Sequence, residues 1–471
     1  MSHQDQGSMD AADSHANDLF KAFKCLVPVK CLKEIQFRED CTWTPLRLAF
    51  AGLLWSWSDY RNLGDRFQHV RKIITHQFGN QYEPATSYQA FIKLLRKWTP
   101  KFVECLTQAF RQKMIATLSA AWEIAGYVVF AGDGSRFGLP RTRRNEEHYS
   151  SKSKLSRAAQ KRRRAARRKK KQKANRREQQ ANVPQIWVTV LWHVASGLQW
   201  AWQTGPADSS ERAHLQAMLS TLPANALLTL DAGFVGFGLW QQIFAAKLHM
   251  VVRVGGNVKL LRELGYVREH DGVVYLWPDK AAAAQQPPPV LRLIVAHDGR
   301  QPVYLVTDLN KTELSNRQAI EIYGRRWGIE LFFRHCKQTF ERTKLRSHSP
   351  DNALVELEWS MLGMWAMGIH SHARLIADGV EPQKISFVGV LRAFREPMRE
   401  FHFRPPRCER LAARLDVALI DDYIRRDKTS RDYPRKKQTT AAGPPIILNA
   451  TAQQRRNARQ VKEQQQIRLS A

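Results

Sequence analysis

The chain has 471 residues, 43% of them hydrophobic, with a formal net charge of +31 and a pI near 10.2. That length and apolar content exclude a disordered chain and allow two or three domains around sizeable cores. The charge calls for a polyanionic partner, nucleic acid ahead of an anionic membrane surface, and no apolar run approaches the ~18 to 20 residues that span a bilayer, the longest being 48–57 (LAFAGLLWSW).

Residues 1–18 are polar and expected to be disordered. They offer neither a basic n-region nor an apolar h-region, so the protein is expected to stay where it is made, cytoplasmic and associated with the nucleoid. From 19 to 125, apolar residues recur at helical spacing (Leu46, Phe50, Leu53, Leu54; Phe91, Leu94, Leu95; Phe102, Leu106, Phe110), which predicts a helical domain. Its Lys and Arg suit DNA binding, or simply a solvated surface.

Residues 126–255 alternate short strands and helices. A strand at 127–131 (YVVFA) leads into Asp133 at its C-terminal end, and 185–194 and 198–203 form a hairpin turning at Ser196 and Gly197. A helix at 209–222 precedes the strand 226–230 (ALLTL), which ends in Asp231. A helix near 238–247 then leads to a strand at 249–254. This order describes an α/β layer, a mixed sheet with helices on its faces. Between the first two strands, 152–177 holds 15 Lys or Arg and no acid. Self-repulsion should keep this segment extended or make it a lone solvated helix, serving either as a DNA-backbone arm or as a tolerated surface insertion.

Residues 256–312 read as a β-rich insertion, with apolar runs at 273–277, 290–296 and 302–307 separated by Pro, Gly and Asp, the pattern of a small antiparallel sheet. Ser315 and Gln318 make a capping box for a helix within 313–348. Residues 349–425 read as helical at 352–379 and 385–401, and 426–471 as a basic, flexible tail. The six cysteines lack metal or redox spacing and are expected to be reduced, mostly buried thiols.

Within 321–340 (EIYGRRWGIELFFRHCKQTF), Tyr323, Arg326, Glu330, Arg334 and Lys337 are spaced 3, 4, 4 and 3 apart. At about 100° per residue they fall in an arc of roughly 80° on one helix. Ile322, Ile329, Phe333, Cys336 and Phe340 form a second stripe about 90° away that should face a core. A lone acid among cations suits a metal-binding carboxylate beside a polyanion, with Tyr323, Arg326, Arg334 and Lys337 on phosphates; the alternative is a solvated charged face. Asp133 and Asp231 follow apolar strands, where α/β sheets place their sites, although a strand-end Asp also forms turns and caps. Asp133, Asp231 and Glu330 together, without Cys or His, are hard oxygen donors suited to Mg²⁺, or Mn²⁺ in its place, rather than zinc. Two such ions can activate a water or a 3′-hydroxyl and stabilise the leaving oxygen of an in-line phosphoryl displacement, which is nuclease or strand-transfer chemistry.

Tyr323, Arg326, Glu330 and Lys337 match the Y-x2-R-x3-E-x6-K signature of the IS4-type DDE transposases. Residues 231–236 (DAGFVG) resemble their second acidic block, and 133–135 (DGS) the first; the similarity covers roughly 120–360. The resemblance implies an RNase H-like core with a β-rich insertion, flanked by helical N- and C-terminal regions. The 99-residue interval from Asp231 to Glu330 is too long for a direct strand-to-helix connection and agrees with such an insertion. Also implied is a Mg²⁺-dependent enzyme that cuts double-stranded DNA at terminal inverted repeats and joins the freed 3′-hydroxyl to target DNA, through a hairpin on the element end. Asp133, Asp231 and Glu330 would be its catalytic metal ligands, and synapsis of two ends would need at least a dimer. In this family the insertion can supply an aromatic that stacks on a flipped base, and Trp277 is a candidate by position, a packed tryptophan being the alternative. Trp187, Trp192, Trp200 and Trp202 read as packing residues, and His193, His249 and His335 lack ligand spacing. Two other readings share the three acids: a structure-specific host nuclease or resolvase, and an inactive, transposase-derived DNA-binding protein.

Overall fold

The computed structural model describes residues 13–79, 87–151, 183–269, 272–297, 302–420 and 443–470. Four helices open it: α1 (His15–Leu26), α2 (Pro45–Trp57), α3 (Leu63–Phe78) and α4 (Tyr88–Leu118). Each starts at a capping side chain, Ser14, Thr44, Asn62 and Ser87, that accepts a backbone N–H of the first turn. α1 therefore begins inside the segment expected to be disordered. The N–H groups of His15 and Ala16 donate to the carbonyls of Phe403 and Phe401, both at 3.1 Å, and Leu19 and Phe23 are buried. Residues 1–12 lie outside the described residues. The apolar run 48–57 is a fully buried core helix, and no helix among the described residues is long and apolar enough to cross a membrane.

Among the described residues the centre is one ten-stranded sheet. Its strands and the helices between them are, in chain order, β1 (Val129–Gly138), α5 (Arg143–Tyr149), β2 (Gln185–His193), β3 (Leu198–Gly205), α6 (Glu211–Met218), β4 (Leu227–Leu230), α7 (Phe237–Ala245), β5 (His249–Val254), β6 (Lys259–Arg262), β7 (Val273–Tyr275), α8 (Asp279–Ala283), β8 (Val290–His297) and β9 (Pro302–Thr307). The order across the sheet is β10-β6-β7-β8-β9-β5-β4-β1-β2-β3, with β10 at Ile446–Asn449. In the half β3-β2-β1-β4-β5, β1 is antiparallel to β2 and parallel to β4, which is parallel to β5, the arrangement of an RNase H-like core. β4 is buried at all four residues, as expected of a strand with parallel neighbours on both sides and both faces covered.

The β-rich segment is not a separate small sheet. β9 pairs antiparallel with β5 (Val251↔Thr307) and so extends the core sheet past an edge that would otherwise offer unpaired backbone groups. The tail expected to be flexible is ordered over 443–470. β10 pairs parallel with β6, and α14 (Ala452–Ser470) sets Ala458 and Val461 against Leu264, Tyr275 and Ala281 in a second small core. Residues 426–442, like the basic run 152–177, lie outside the described residues.

After β9 come α9 (Asn316–Arg325), α10 (Gly328–Arg334), a π-helical turn (His335–Thr339), α11 (Pro350–Ala377), α12 (Phe387–Arg399) and α13 (Leu411–Ala418). The predicted capping box of Ser315 and Gln318 starts α9. α11 ties the two helical regions together: Trp359 lies so close to Gly52 of α2 that a Cβ there would sit 2.4 Å from its ring. Trp57 Nε1 donates to the Gly363 carbonyl at 2.9 Å, and Trp359 Nε1 to Thr99 Oγ1 at 2.9 Å. The helical stretch is thus no free-standing module, since the described residues of 19–125 share one continuous core with those of 349–420 and the sheet.

Candidate active site

β1 runs through Asp133 rather than ending before it, because β2 pairs with it from Phe130 to Gly138 while β4 accompanies only Val129–Gly132. The last parallel pair is Gly132↔Leu230. Asp133 and Asp231 are therefore the residues that follow this pair, Asp133 still within β1 and Asp231 one step past the end of β4. Each gives one oxygen to a backbone N–H close by in the chain: Asp133 Oδ1 accepts from the Gly134 N–H and Asp231 Oδ1 from the Gly233 N–H, both at 2.8 Å. Asp231 also caps the short 3₁₀ turn Ala232–Phe234, so the turn-forming and site-forming readings of this residue coexist.

Glu330 comes from the other side of the site, on α10. The expected single helix is broken at Arg326 and Trp327, and α10 starts at Gly328, where the chain passes Trp192 so closely that a Cβ would lie 2.1 Å from the ring. The apolar stripe survives the break, with Ile322, Ile329, Phe333, Cys336 and Phe340 all buried. The charged stripe is divided. The Arg326 guanidinium sits 5.4 Å from the Tyr323 ring centroid and 3.6 Å from Glu330 Oε1; the residue is only 9% exposed, and its Nε has no hydrogen-bond partner. Lys337, in the π-helical turn, points to β1, where Nζ donates to Ser135 Oγ at 2.7 Å. Arg334 is exposed at the end of α10.

Electrostatics couple the three acids. Burial, opposed by the Gly134 N–H and reinforced by Asp231 and Glu330, pushes the Asp133 carboxyl up to about 6. Burial also raises Glu330, with Arg326 working against the shift and Asp231 with it. Burial lowers the Lys337 amine, and the charge of Asp133 partly restores it.

A fourth carboxylate was not anticipated. Glu211, the first residue of α6 after the Ser210 cap, has Oε1 2.6 Å from where a Cβ on Gly134 would stand and Oε2 3.5 Å from one on Gly233. Burial and then the charges of Asp133 and Asp231 push its carboxyl up to about 7. The sequence shows only an acid in a first helical turn, which reads as a partner for the helix dipole.

Beside the site lies a groove of about 1020 Å³ lined by Arg61, Lys337, Lys344 and Arg346. It shares Arg346 and His348 with a second cavity, about 750 Å³, that adds Arg96 and Arg144. Glu341, Glu147 and Asp351 are the acids there, fewer than the cations.

Trp277 is 4% exposed in the second core, with Nε1 donating to the Gln286 carbonyl at 2.8 Å, so it is a packed residue without a face for a base. The exposed tryptophan at the site is Trp327, at 58%. Trp192 and Trp200 are buried, Trp202 Nε1 donates to Glu358 at 2.7 Å, and Arg136 lies 4.4 Å from the Trp187 ring centroid. His193 is held by Ser196 and the Trp122 carbonyl, and His249 by Asp308. All six cysteines are free, though only Cys336 is fully buried.

The donor set is oxygen alone and its charges repel one another, which fits a divalent cation. Among the described residues no three acids are already closed around a single point, and Glu330 is turned towards Arg326.

Residues 125–365 match the family described as Transposase DDE domain. A curated relative, transposase InsG for insertion sequence element IS4 of Escherichia coli (strain K12), is 26% identical over 219 residues, 44% of this chain and 49% of the relative, so the match spans about half of that protein. Among solved structures, a cryo-EM structure of a piggyBac transposase synaptic complex with hairpin DNA is similar with a TM-score of 0.39 and 11% identity, over 91% of this chain and 88% of that one.

Proposed function

Because the chain belongs to the family of transposases that carry a DDE domain, we propose that it is a DNA transposase that cuts the ends of a mobile element and joins the freed 3′-hydroxyl to target DNA. The observation that carries this reading is the register that sets Asp133 beside Asp231 at the open end of β4, with Glu330 entering their field from α10.

In this reading Asp133, Asp231 and Glu330 hold Mg²⁺ or Mn²⁺. The ions, when bound, supply the positive charge that activates the attacking oxygen and stabilises the leaving one. The rest belongs to the chain. Arg326, with an unsatisfied Nε and a weak 3.6 Å contact to Glu330, is free to turn its fork to a backbone phosphate. Tyr323 supports that guanidinium, and Lys337 presents its amine next to β1. Arg334 extends the cationic track outward, and the groove of Arg61, Lys344 and Arg346 continues it for a duplex. Trp327 offers an exposed ring on which a base can stack. Two ends held together require at least two copies of the chain.

The terminal repeat can be found by sequencing the DNA that flanks the gene. A duplex carrying that repeat should be cut by the full chain in Mg²⁺ and left intact with a chelator. Glu330→Gln should abolish cutting without loss of folding, and retained cutting by this variant overturns the assigned role.

A further inference from the structure

We infer that Glu211 is a fourth carboxylate of the ion-binding set, a ligand that shares a divalent cation with Asp133 and Asp231. This rests on the proposed reading of those two aspartates as cation ligands and adds a residue that the family signature does not contain.

The first argument is space. Gly134 directly follows Asp133 and Gly233 stands two residues after Asp231, and neither has the positive φ that only glycine adopts comfortably, so their backbone does not require glycine. At Gly134 packing does: a Cβ there would stand 2.6 Å from Glu211 Oε1 and 2.9 Å from the Trp187 ring, whereas one on Gly233 would stand 2.9 Å from Asp231 Oδ1 and at an ordinary contact distance of 3.5 Å from Glu211 Oε2. The Glu211 carboxylate thus takes the room left by the missing side chain of Gly134 and reaches Gly233 as well, which sets it beside both aspartates.

The second argument is compensation. Among the described residues, Glu211 makes no hydrogen bond or ion pair. Its two nearby guanidiniums are engaged elsewhere: Arg136 stacks on Trp187, and Arg212 Nε donates to the Gly233 carbonyl at 2.8 Å. Arg136 and Arg212 favour its charge only through space, and a half-buried carboxylate that faces two others with no hydrogen bond or ion pair of its own is costly unless a cation arrives from outside. Ser210 caps α6 and fixes the first turn, so the side chain is presented from a rigid element rather than a loop.

The test is Mn²⁺ binding by the full chain without DNA, read by the loss of the free-ion paramagnetic resonance signal, with melting in chelator as the control. Glu211→Gln should weaken binding about tenfold or more while melting no earlier than the parent. Glu211→Asp keeps the charge but withdraws it by one methylene, so it should also bind more weakly. If Glu211→Gln binds as the parent does while Asp231→Asn does not, the inference falls and the site stands. If Asp231→Asn also binds normally, the site reading falls with it. Parent-like binding by Glu211→Asp alongside weak binding by Glu211→Gln would reduce Glu211 to a distant charge and overturn its assignment as a ligand. Should Glu211→Gln melt early, the Glu211→Asp titration decides.

Discussion

Two groups of charge, one buried and the other half-buried, are treated in opposite ways. Arg342 spends its guanidinium entirely inside the protein, donating to Ser360 Oγ at 2.7 Å, the Phe340 carbonyl at 2.6 Å and the Ser56 carbonyl at 2.8 Å. Nearby Glu356 accepts from the N–H groups of Arg346 and Ser347 and from Ser347 Oγ at 2.9, 3.1 and 2.9 Å. These groups join α2, α11 and the strap after the π-helical turn. At Asp133, Asp231, Glu330 and Glu211 the protein supplies two backbone N–H groups and one long contact to Arg326, and the acids otherwise face each other. The first group is answered from within, Glu356 Oε1 excepted, whereas the second is answered little, as the proposed role of its acids as cation ligands requires.

That contrast breaks most visibly under substitution. Asp133→Asn should cost three or more orders of magnitude in DNA cutting, on the order of ~4 kcal/mol of transition-state stabilisation, with melting unchanged or raised in chelator because a repelling charge is gone. Arg342→Ala should do the reverse: about 3 to 5 kcal/mol of stability lost in urea unfolding, with the folded fraction still able to cut in the cold. If Asp133→Asn unfolds the protein, or Arg342→Ala spares it, the two groups have been assigned to the wrong roles.

Lys337 sharpens the boundary, since its amine bonds Ser135 inside the protein yet lines the basic groove. Lys337→Ala should reduce affinity for a terminal-repeat duplex several-fold and make the slope of log affinity against log salt shallower by about one. An unchanged slope would place the lysine with the structural charges.

How much of this was legible in the sequence follows from how local each signal is. The apolar stripe beside Glu330 and the Ser315 cap depend on spacing along one segment and are readable, whereas the break at Arg326 and Trp327 that divides the charged stripe is not, because it answers to the Trp192 ring against Gly328. The aspartates were found as acids after apolar runs, but the extent of β1 was not, because Gly132, Asp133 and Gly134 read as a turn until β2 is seen to pair beside them. Glu211 was missed for the same reason at longer range: its meaning lies in two glycines 77 residues before and 22 residues after it. The tail was misjudged because α14 contributes only a few apolar contacts, Ala458 and Val461 among them, and β10 is four residues whose partner lies in the insertion.

The smallest effect expected is in pH dependence, and its sign separates the two kinds of charge again. The Asp133 carboxyl is raised from an ordinary 3.8 to about 6, so between those values the folded protein holds a proton that the unfolded chain has lost. Its contribution to stability is therefore complete below the ordinary value and disappears as pH rises through about 6. Asp59, hydrogen-bonded to Arg399, is held below its usual value despite burial, and such an acid acts in the opposite sense, its contribution disappearing as pH falls. Overall melting mixes both signs, so the useful quantity is the difference between the parent and Asp133→Asn in chelator. That difference should move against the parent as pH rises from near 4 to above 6, and saturating Mg²⁺ should remove or reverse the trend by favouring the ionised form. A flat difference in chelator would mean that Asp133 titrates like an ordinary surface acid, and the site would then lack the repulsion on which its appetite for a cation depends.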